Sequence, residues 1–407
     1  MAGLRPCAFQ SDSHESGEVR DVEAEPVIIG GMVLDIHASP SIPANPRSTT
    51  PGKVQYMLGG VGRNIAECMA KLGTRPYMIS AVGLDMAGNL LLESWKSAGL
   101  SLEGIRRDQD IETATVCNMF DAKGELVAGV ASVEAIEKFL VPEWVRRFSL
   151  TIHSAPLVMV DANLSPSTLE ASCRMAAEFE IPLWFEPVSV AKSKRVVSVV
   201  EHITFASPNE DELVAMANAL SRGNVFSPIQ KNISRIKFSV QTLFQMLRPA
   251  IWVLLEKGVK VVIVTVGSDG VFLCTKGVHR LKGNGWKRRR GSCEELYEIV
   301  NLSCPPNRFF SASRIDESPD MFAMHFPALP ASVVRVSGAG DCLVGGALAS
   351  ICAGLDLIQS LAVGIAAARA AVEAETNVPA EFSLTKIADD ARSIYFAAKV
   401  LFIQSML

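Results

Sequence analysis

A short segment, RVSGAGDCLVGG from Arg335 to Gly346, has the residue types needed to hold an anion and to accept a proton. A Gly-Ala-Gly turn precedes an apolar run of small residues, and the carboxylate of Asp341 lies at their junction. The first turn of a helix leaves backbone N–H groups unpaired at the positive end of the helix dipole. The segment therefore predicts an anion site, most simply for a phosphate. We expect the β-branched run Val333, Val334 and Val336 to form a strand that leads into this turn.

A second glycine-rich segment, Gly59 to Asn64, precedes apolar residues at helical spacing from Ile65 to Leu72. Glycines at a helix entry let the backbone approach a ligand, and the Asn64 amide can both donate and accept hydrogen bonds. Upstream, the apolar run Val27–Ile29 indicates a buried strand, with Asp35 beyond its end. Ligands of parallel sheets bind beyond the carboxyl ends of strands, so Asp35 is either a contact for substrate hydroxyls or an ordinary turn residue.

The acidic sequence Asn209-Glu210-Asp211-Glu212 opens a predicted helix. Two interpretations are open. An Asn followed by acidic residues is a favourable helix start in its own right. Alternatively, Asn209 and Glu212, about one turn apart, hold a hydrated Mg²⁺ near phosphates, because Mg²⁺ usually keeps several of its waters.

The elements that must position these residues alternate along the chain. Strands are predicted at 77–82, 157–161, 183–185, 203–206 and 261–266, with helices at about 87–97, 166–179 and 191–199 and from 209 onward. This alternation is typical of a parallel sheet with helices on both faces. Two alternating runs within 113–130 predict a hairpin, which could pair with Lys53–Leu58 in a small antiparallel sheet that forms a lid over the strand ends.

The 407 residues, 49% hydrophobic and 20% charged, are enough for a large buried core. We expect a disordered leader at 1–25 and one α/β domain at 26–390, with lid segments at about 36–58 and 111–131. The stretch 276–330 has little periodicity and predicts an irregular insertion. Residues 391–407 are expected to form a carboxyl-terminal tail.

Charge and cysteine content narrow the function classes. A formal net charge of −4 gives no reason to expect nucleic acid as a partner. No apolar run reaches the roughly 20 residues that cross a bilayer, so no membrane partner is expected. Nine cysteines without CxxC pairs favour a reduced intracellular compartment. The final Ser405-Met406-Leu407 is similar to the peroxisomal SKL address, which predicts a peroxisomal location, with the cytosol as the alternative.

Two of these segments together resemble the signatures of the ribokinase-like, or PfkB, carbohydrate kinases. They are GGVGRNIAECMAKLG from Gly59 to Gly73 and VSGAGDCLVGG from Val336 to Gly346. PNEDEL and VTVGSDG, between them, are similar to the family's magnesium-side and nucleotide-side segments, and the resemblance extends from Pro26 to about Phe382. It implies a three-layer α/β/α sandwich with a mostly parallel central sheet and a small β-sheet lid.

The resemblance implies that Asp341 accepts the proton of a primary hydroxyl as this oxygen attacks the γ-phosphate of ATP. We expect that carboxylate, at a helix start, to be ionised and only weakly basic, which suffices for a loose transition state. ATP and Mg²⁺ are the implied cofactors, with K⁺ as a further candidate. The implied site residues are the amides of Gly338, Ala339 and Gly340 for the phosphoryl group; Asp35, Gly60, Asn64, Thr113 and Asn163 for substrate; Asn209, Thr265, Gly267 and Gly270 for the nucleotide; and Asn209 with Glu212, through water, for the metal.

Several stretches, including GGMVLDIHA, VDANLSPSTL and EPVSV, are similar to those members of the family that phosphorylate pseudouridine. The resemblance therefore implies transfer to the 5′-hydroxyl of this nucleoside in pseudouridine catabolism, with ribose, adenosine or fructose as alternative small-molecule substrates. Two residues depart from the family pattern and leave the substrate open: Val33, where Asn is frequent, and Arg335, where an acidic residue is frequent. Exposed lid strands could pair two subunits in a homodimer.

The sequence motifs leave two other functions open. A dinucleotide-dependent oxidoreductase would match the glycines of GAGDCLVGG loosely, but its fingerprint needs a strand after the helix and an acidic residue about 20 positions on. Here an alanine-rich helix, Leu357–Glu375, is predicted instead. A non-catalytic ligand-binding relative is the other alternative, and the intact Asp341 with its glycines argues against it.

Overall fold

A ten-stranded sheet forms the centre of the protein, seen in a computed structural model that describes residues 24–43, 47–121, 126–229, 238–277, 293–306 and 321–404. Its strands are β1 (Val27–Ile29), β4 (Tyr77–Gly83), β5 (Ile105–Asp108), β8 (Val158–Asp161), β9 (Leu183–Glu186), β10 (Phe205–Ala206), β11 (Val261–Thr265), β12 (Val271–Lys276), β13 (Met321–Phe326) and β14 (Lys399–Gln404). They lie in the order β14-β13-β12-β11-β10-β9-β8-β1-β4-β5. Neighbours from β5 to β11 are parallel, and those from β11 to β14 are antiparallel.

Helices cover both faces of this sheet. On one face lie α1 (Val61–Lys71), α2 (Met86–Ser97), α10 (Glu294–Ser303), α11 (Ala339–Ala353), α12 (Leu357–Val372) and α13 (Leu384–Ala397). On the other lie α3 (Glu134–Phe139), α4 (Pro142–Arg146), α5 (Ser149–Ser154), α6 (Pro166–Glu178), α8 (Glu210–Leu220) and α9 (Val240–Lys257). Within β1, Ile28 packs into the first core while Val27 and Ile29 pack into the second, so the strand is apolar throughout. The three-layer sandwich is confirmed.

A second sheet of four strands forms the lid: β2 (Val33–Pro40), β3 (Gly52–Gly59), β6 (Thr115–Phe120) and β7 (Leu126–Ser132), in the order β3-β2-β6-β7. The predicted hairpin corresponds to β6 and β7, although its turn at 122–125 lies outside the described residues. Strand β2 was not predicted, because its sequence mixes polar residues with Pro40 and has no clear alternation. Asp35 therefore lies within a lid strand and not in a turn after β1.

Helix α11 is held by close packing against α12. A Cβ atom on Gly346 would lie 3.0 Å from the Cα of Gly364, so these two helices approach each other through glycine. Dispersion contacts fall off steeply with distance, and such close packing leaves little freedom for the helix to shift. The start of α11, where Asp341 lies, is therefore fixed by the core behind it.

The strand expected before that helix is absent: residues 331–336 have no regular secondary structure. Val333, Val334 and Val336 are 63%, 60% and 73% exposed. The amides of Val334 and Arg335 both bond to the carbonyl of Val372 at the end of α12. The β-branched run by itself favours a strand. Its hydrogen bonds to Val372, which is distant in the sequence, hold the segment in a different conformation that a local pattern does not indicate.

Two regions are more regular than predicted. Within 276–330, α10 packs into the first core through Leu296 and Val300, and β13 pairs with β12 and β14. The predicted tail begins inside α13 and continues as β14 to Gln404. Strands β13 and β14 have only six residues each, so neither stands out against the sequence around it. Residues 278–292 and 307–320 lie outside the described part of the chain, as do the leader up to residue 23 and Ser405–Leu407, so the leader and the peroxisomal address stay predictions.

The helix predicted at 191–199 is broken. The structure has a single turn, α7 (Val190–Ser193), followed by 3₁₀ turns at Lys194–Ser198 and Val200–His202. A run of valines in this segment loses side-chain freedom in a helix, which explains the weak helix formation. None of the described helices is long and apolar enough to cross a membrane. The cysteines among the described residues are all free thiols.

Candidate active site

The starts of α1 and α11 meet above the carboxyl end of β1. Gly60 and Gly338 precede the two helices with φ angles of 97° and 82°, in the left-handed region that favours glycine. A Cβ on Gly338 would lie 2.0 Å from the carbonyl oxygen of Asn377, so no larger residue fits there. At Gly340 a Cβ would meet nothing within 4 Å, so open space lies in front of the first turn of α11. This arrangement leaves room for an anion at the helix start.

The carboxylate of Asp341 points toward α1. Its Oδ2 accepts a hydrogen bond of 2.8 Å from Nδ2 of Asn64. Burial raises the pKa of Asp341 to about 7, the Asn64 hydrogen bond lowers it, and the charges of Asp161 and Asp35 raise it further. The expectation of a weakly basic carboxylate is therefore wrong, because desolvation and the neighbouring acids outweigh the hydrogen bond from Asn64.

Asp161, at the end of β8, joins the glycine turns. It is fully buried, and its Oδ2 accepts hydrogen bonds from the amides of Gly31 (2.8 Å) and Gly62 (3.1 Å). Its Oδ1 accepts one from the amide of Asn163 at 2.9 Å. Burial raises the pKa of Asp161, and these backbone donors oppose the rise. Asp161 thus holds the β1 turn against the start of α1, a role that sequence reasoning missed.

Asp35 faces the same space from lid strand β2. Its Oδ2 accepts a hydrogen bond of 3.3 Å from Nδ2 of Asn377. Burial raises the pKa of Asp35, while Asn377, Arg335 and Arg63 lower it. Nη1 of Arg335 also donates to Nδ1 of His37 at 3.2 Å and to the sulfur of Met57 at 2.8 Å. The residue that departs from the family pattern therefore links the loop before α11 to the lid.

Asn163 lies beyond β8 and has a cationic partner. Nζ of Lys192, in α7, donates to its Oδ1 at 2.5 Å. Burial lowers the pKa of Lys192, and the charge of Asp161 raises it. A positive charge is thus placed at the carboxyl ends of β8 and β9, beside the expected substrate residues. Sequence reasoning did not single out Lys192.

Thr113 is placed differently from the expectation. Its hydroxyl donates to Oδ1 of Asp85 at 2.7 Å and accepts from the amide of Gly83 at 2.8 Å. Its own amide donates to Oδ2 of Asp85. The side chain is 3% exposed, and these bonds tie together the turn after β4 and the start of α2. In this structure Thr113 therefore has a structural role, and its assignment as a substrate contact stays a prediction.

Asn209 and Glu212 form a capping box at the start of α8. The Asn209 side chain accepts from the amide of Glu212, and the Glu212 side chain accepts from the amide of Asn209, each at 2.9 Å. Glu186, at the end of β9, is partly buried nearby and accepts from the hydroxyl of Ser207 at 2.5 Å. Burial raises the pKa of Glu186 well above its usual value, and the charges of Glu212 and Asp341 add to this rise.

The predicted Mg²⁺ site depends on these carboxylate and amide oxygens as ligands. No group of three or more His, Cys, Asp or Glu side chains in the described residues forms a ready-made metal cage. The charge of Glu212 raises the pKa of the neighbouring Glu186, and two such carboxylates suit a hydrated Mg²⁺ held through water and phosphate oxygens. The capping and metal interpretations of Asn209 and Glu212 are therefore compatible, since each capping oxygen has a second lone pair.

The segment expected to hold the nucleotide adjoins this box. Thr265 lies at the end of β11, and its amide donates to the carbonyl of Pro208 at 3.0 Å. A 3₁₀ turn, Gly267–Asp269, follows, and a Cβ on Gly267 would meet open space. Gly270 instead packs against β13, where its Cβ would lie 2.1 Å from the Phe326 carbonyl oxygen. Gly267 is thus open to a ligand, whereas Gly270 is required by the fold.

The sequence model of the pfkB family carbohydrate kinases matches residues 25–287 and 320–379, which together include most of the chain. The chain belongs to the PfkB family. It is 53% identical to the pseudouridine kinase of Arabidopsis thaliana, over 94% of this chain and all of that protein. It is 25% identical to the pseudouridine kinase of Escherichia coli, over 60% of this chain and 71% of that one.

Solved structures show the same PfkB fold. The structure of Arabidopsis thaliana ribokinase complexed with ribose and ATP has a TM-score of 0.66 at 19% identity, covering 90% of this chain and 98% of that one. Ribokinase from Thermotoga maritima has a TM-score of 0.63 at 18% identity, covering 91% and 99%. In this PfkB chain the structure brings five predicted site residues together at the carboxyl ends of the parallel strands: Asp35, Gly60, Asn64, Asn163 and Asp341. It adds Asp161, Lys192, Glu186 and Asn377 to them.

Proposed function

We propose that this PfkB protein transfers the γ-phosphoryl group of ATP to the 5′-hydroxyl of pseudouridine. The observation that carries the proposal is the 53% identity along the whole length of the Arabidopsis pseudouridine kinase. The geometry of Asp341 supports the reaction type, since its carboxylate lies in the first turn of α11 with open space before it.

Asp341 acts as the general base. A base is most effective when its pKa lies near the working pH, and burial raises the pKa of Asp341 to about 7. Its Oδ2 is held by Asn64, which leaves the other carboxylate oxygen, Oδ1, to accept the proton of the attacking hydroxyl. The lid strand carrying Asp35 contributes a second, partly buried carboxylate that can accept from ribose hydroxyls.

The start of α11 holds the phosphoryl group in transfer. The amide of Ala339 donates to the Val336 carbonyl at 3.3 Å and so closes the turn, and its assignment as a phosphoryl donor stays a prediction. The helix dipole and the remaining first-turn amides, including that of Gly340, face the open space. Asn209 and Glu212 would hold Mg²⁺ through water, and the ion would supply neutralisation of the phosphate charge.

The experiment is a substrate panel assayed for ADP release with pseudouridine, uridine, adenosine, ribose and fructose. We expect the highest kcat/KM with pseudouridine, and a phosphorus NMR signal of a 5′-phosphomonoester in the product. Asp341→Asn is the control for contaminating kinases. Faster turnover of ribose or adenosine than of pseudouridine would contradict the substrate, and no turnover on any member would favour a non-catalytic binding protein.

Monovalent-ion dependence is part of the same proposal. K⁺ is expected to raise turnover, as the family resemblance implies. The test compares rates in potassium chloride and in N-methylglucamine chloride at equal ionic strength. Equal rates would remove K⁺ from the proposed cofactors.

We also propose that two copies associate through the lid. Strand pairing places Val54, Tyr56, Met119 and Val130 on the lid face opposite Asp35. All four are at least 47% exposed, which makes an apolar sheet face that a second copy can cover by two-fold symmetry. Light scattering should show a dimer in the parent protein and a monomer in Val130→Glu; a monomeric parent would contradict the proposal.

A further inference from the structure

Arg63, in the first turn of α1, is an unusual residue to find inside the protein. It is 2% exposed, and burial of a guanidinium is unfavourable unless it is paired. Its Nη2 forms an ion pair of 2.8 Å with Glu67 one turn later. Its Nη1 donates to Oδ1 of Asn64 at 3.1 Å. The side chain therefore divides its donors between an acidic partner and the neighbouring amide.

This contact determines which way the Asn64 amide points. A guanidinium has donors only, so the end of the amide that faces Arg63 must be the oxygen. The amide nitrogen is then directed at Asp341 and donates to its carboxylate at 2.8 Å. If the amide were reversed, its oxygen would face the carboxylate and two acceptors would meet. Arg63 thus selects the orientation in which Asn64 can hold the base.

The other side of Arg63 is anchored as well. Glu67 also accepts from Nζ of Lys71 at 2.9 Å, so the carboxylate is held between two cations on one face of α1. The row Lys71, Glu67, Arg63, Asn64 ends at Asp341. A rigid row of this kind preserves the geometry of the final hydrogen bond.

We propose that Arg63 is a positioning residue for phosphoryl transfer, which fixes the Asn64 amide so that its N–H group holds the Asp341 carboxylate in place. Arg63 touches neither the phosphoryl group nor the substrate hydroxyl in this role. The turnover readout rests on the proposed kinase function, whereas the orientation of the amide does not.

The role predicts a change in the titration of Asp341. A hydrogen bond donated to a carboxylate favours its ionised form, so loss of the Asn64 donor raises the pKa. The carboxylates of Asp161 and Asp35 raise the pKa of Asp341 further, and the charge of Asp341 in turn acts on Glu186. As ionised groups, these carboxylates offer no substitute donor. One lost hydrogen bond corresponds to an upward shift of about half to one pH unit.

The test is a carbon-13 NMR titration of Asp341 in the full chain, with the signal assigned by its absence in Asp341→Asn. We expect Arg63→Met and Asn64→Leu to raise the titration midpoint by similar amounts, and the double variant to show no additional rise. Arg63→Lys keeps the charge and the pairing with Glu67 but lacks the second donor of the fork, so it should also shift the midpoint. Arg174→Met, which removes an exposed ion pair with the same i,i+4 spacing, is the matched control and should titrate like the parent.

Kinetics give the second readout. The acid limb of kcat/KM for pseudouridine should move with the NMR midpoint in each variant. An unchanged midpoint in Arg63→Lys, together with an upward shift in Asn64→Leu, would overturn the proposal and leave Arg63 a purely structural residue. If Arg63→Met does not fold, Arg63→Lys decides the question. Absence of pseudouridine turnover in the parent protein would count against the kinase proposal alone, because the NMR titration needs no nucleoside.

Discussion

Asn64 and Asp341, 277 positions apart in the chain, are joined by a hydrogen bond of 2.8 Å between the starts of two helices. The carboxylate it holds is both desolvated and surrounded by other acids, which raises the pKa of Asp341 to about 7. A group that is unfavourable for folding but suited to proton transfer is typical of a catalytic position. The ionisation of Asp341 affects turnover, its pH dependence and the stability of the protein, and each effect can be measured separately.

Asp341→Asn should abolish most of the turnover while leaving ATP binding intact. The amide has the size of the carboxylate but cannot accept the proton of the 5′-hydroxyl. We expect kcat to fall by about 10³-fold or more, in line with the loss of a general base together with its electrostatic contribution. Isothermal titration with ATP and Mg²⁺ should give a Kd within about threefold of the parent value. Near-parent turnover would show that Asp341 is not the base.

The same variant should be more stable than the parent above neutral pH. The folded-state pKa of Asp341 lies above its ordinary value of 3.8, so the native state binds more protons than the unfolded state between these values. Stability therefore falls as pH rises through that window. After allowance for solvent screening, Asp341→Asn should gain about 2 kcal/mol at pH 8.5 and little at pH 4. Chemical denaturation of both proteins at the two pH values measures the difference; a gain that does not depend on pH would contradict it.

The pH–rate profile should reflect the same group. The base must be ionised, so kcat/KM is expected to decrease tenfold per pH unit below about pH 7. An Asp with its ordinary pKa would instead give a flat profile down to about pH 4.5. Rates measured from pH 5 to 8.5 at constant ionic strength distinguish the two cases.

Much of the catalytic domain could be predicted from local patterns. The strands buried on both faces have apolar runs bounded by turns, and the two glycine segments mark the helix starts that meet at the site. Asp35, Asn64 and Asp341 were found because they follow such turns. These signals need only a few neighbouring residues, and the structure brings the three side chains into one space.

The residues that were missed depend on partners far away in the chain. Asp161 acts through the amides of Gly31 and Gly62, 130 and 99 positions away, and no local pattern indicates that contact. Conversely, Thr113 has a type suited to substrate binding, but Asp85 and Gly83 occupy its hydroxyl. Strand β2 and helix α10 were missed because each has few residues, so its periodic pattern extends over only a short segment.

The two glycines of the anion turn should respond differently to alanine. Gly340→Ala places a methyl group in the open space before α11, so the protein should fold normally while kcat falls by about 10²-fold through displacement of the phosphoryl group. Gly338→Ala puts a Cβ at φ 82° and 2.0 Å from the Asn377 carbonyl oxygen, so it should destabilise the fold itself. Thermal unfolding and turnover of the two variants, measured side by side, test the distinction. A loss of stability in Gly340→Ala comparable to that in Gly338→Ala would contradict it.

Replacement of Asp161 should lower the stability of the protein and not only its turnover. Asp161→Ala leaves the amides of Gly31, Gly62 and Asn163 without their acceptor in the buried interior. Unsatisfied buried donors typically reduce the free energy of unfolding by about 3 kcal/mol or more in total. Asp110→Ala, at an exposed position, is the control. Equal unfolding midpoints in urea for the two variants would show that Asp161 does not hold the turns together.

His325 on β13 should affect the nucleotide and not the nucleoside. Its Nε2 lies 2.6 Å from the carbonyl oxygen of Asp269, in the turn that follows Thr265, and the ring is 8% exposed. Burial lowers the pKa of His325, which favours the neutral ring, and a proton on Nε2 is needed to donate to the carbonyl. His325→Phe keeps the packing against Phe272 but removes the donor. We expect KM for ATP to rise about five- to tenfold, with KM for pseudouridine unchanged. The exposed His153, changed to Phe, is the matched control. Parallel increases in both KM values would place the effect of His325 in the whole fold and not in the nucleotide turn.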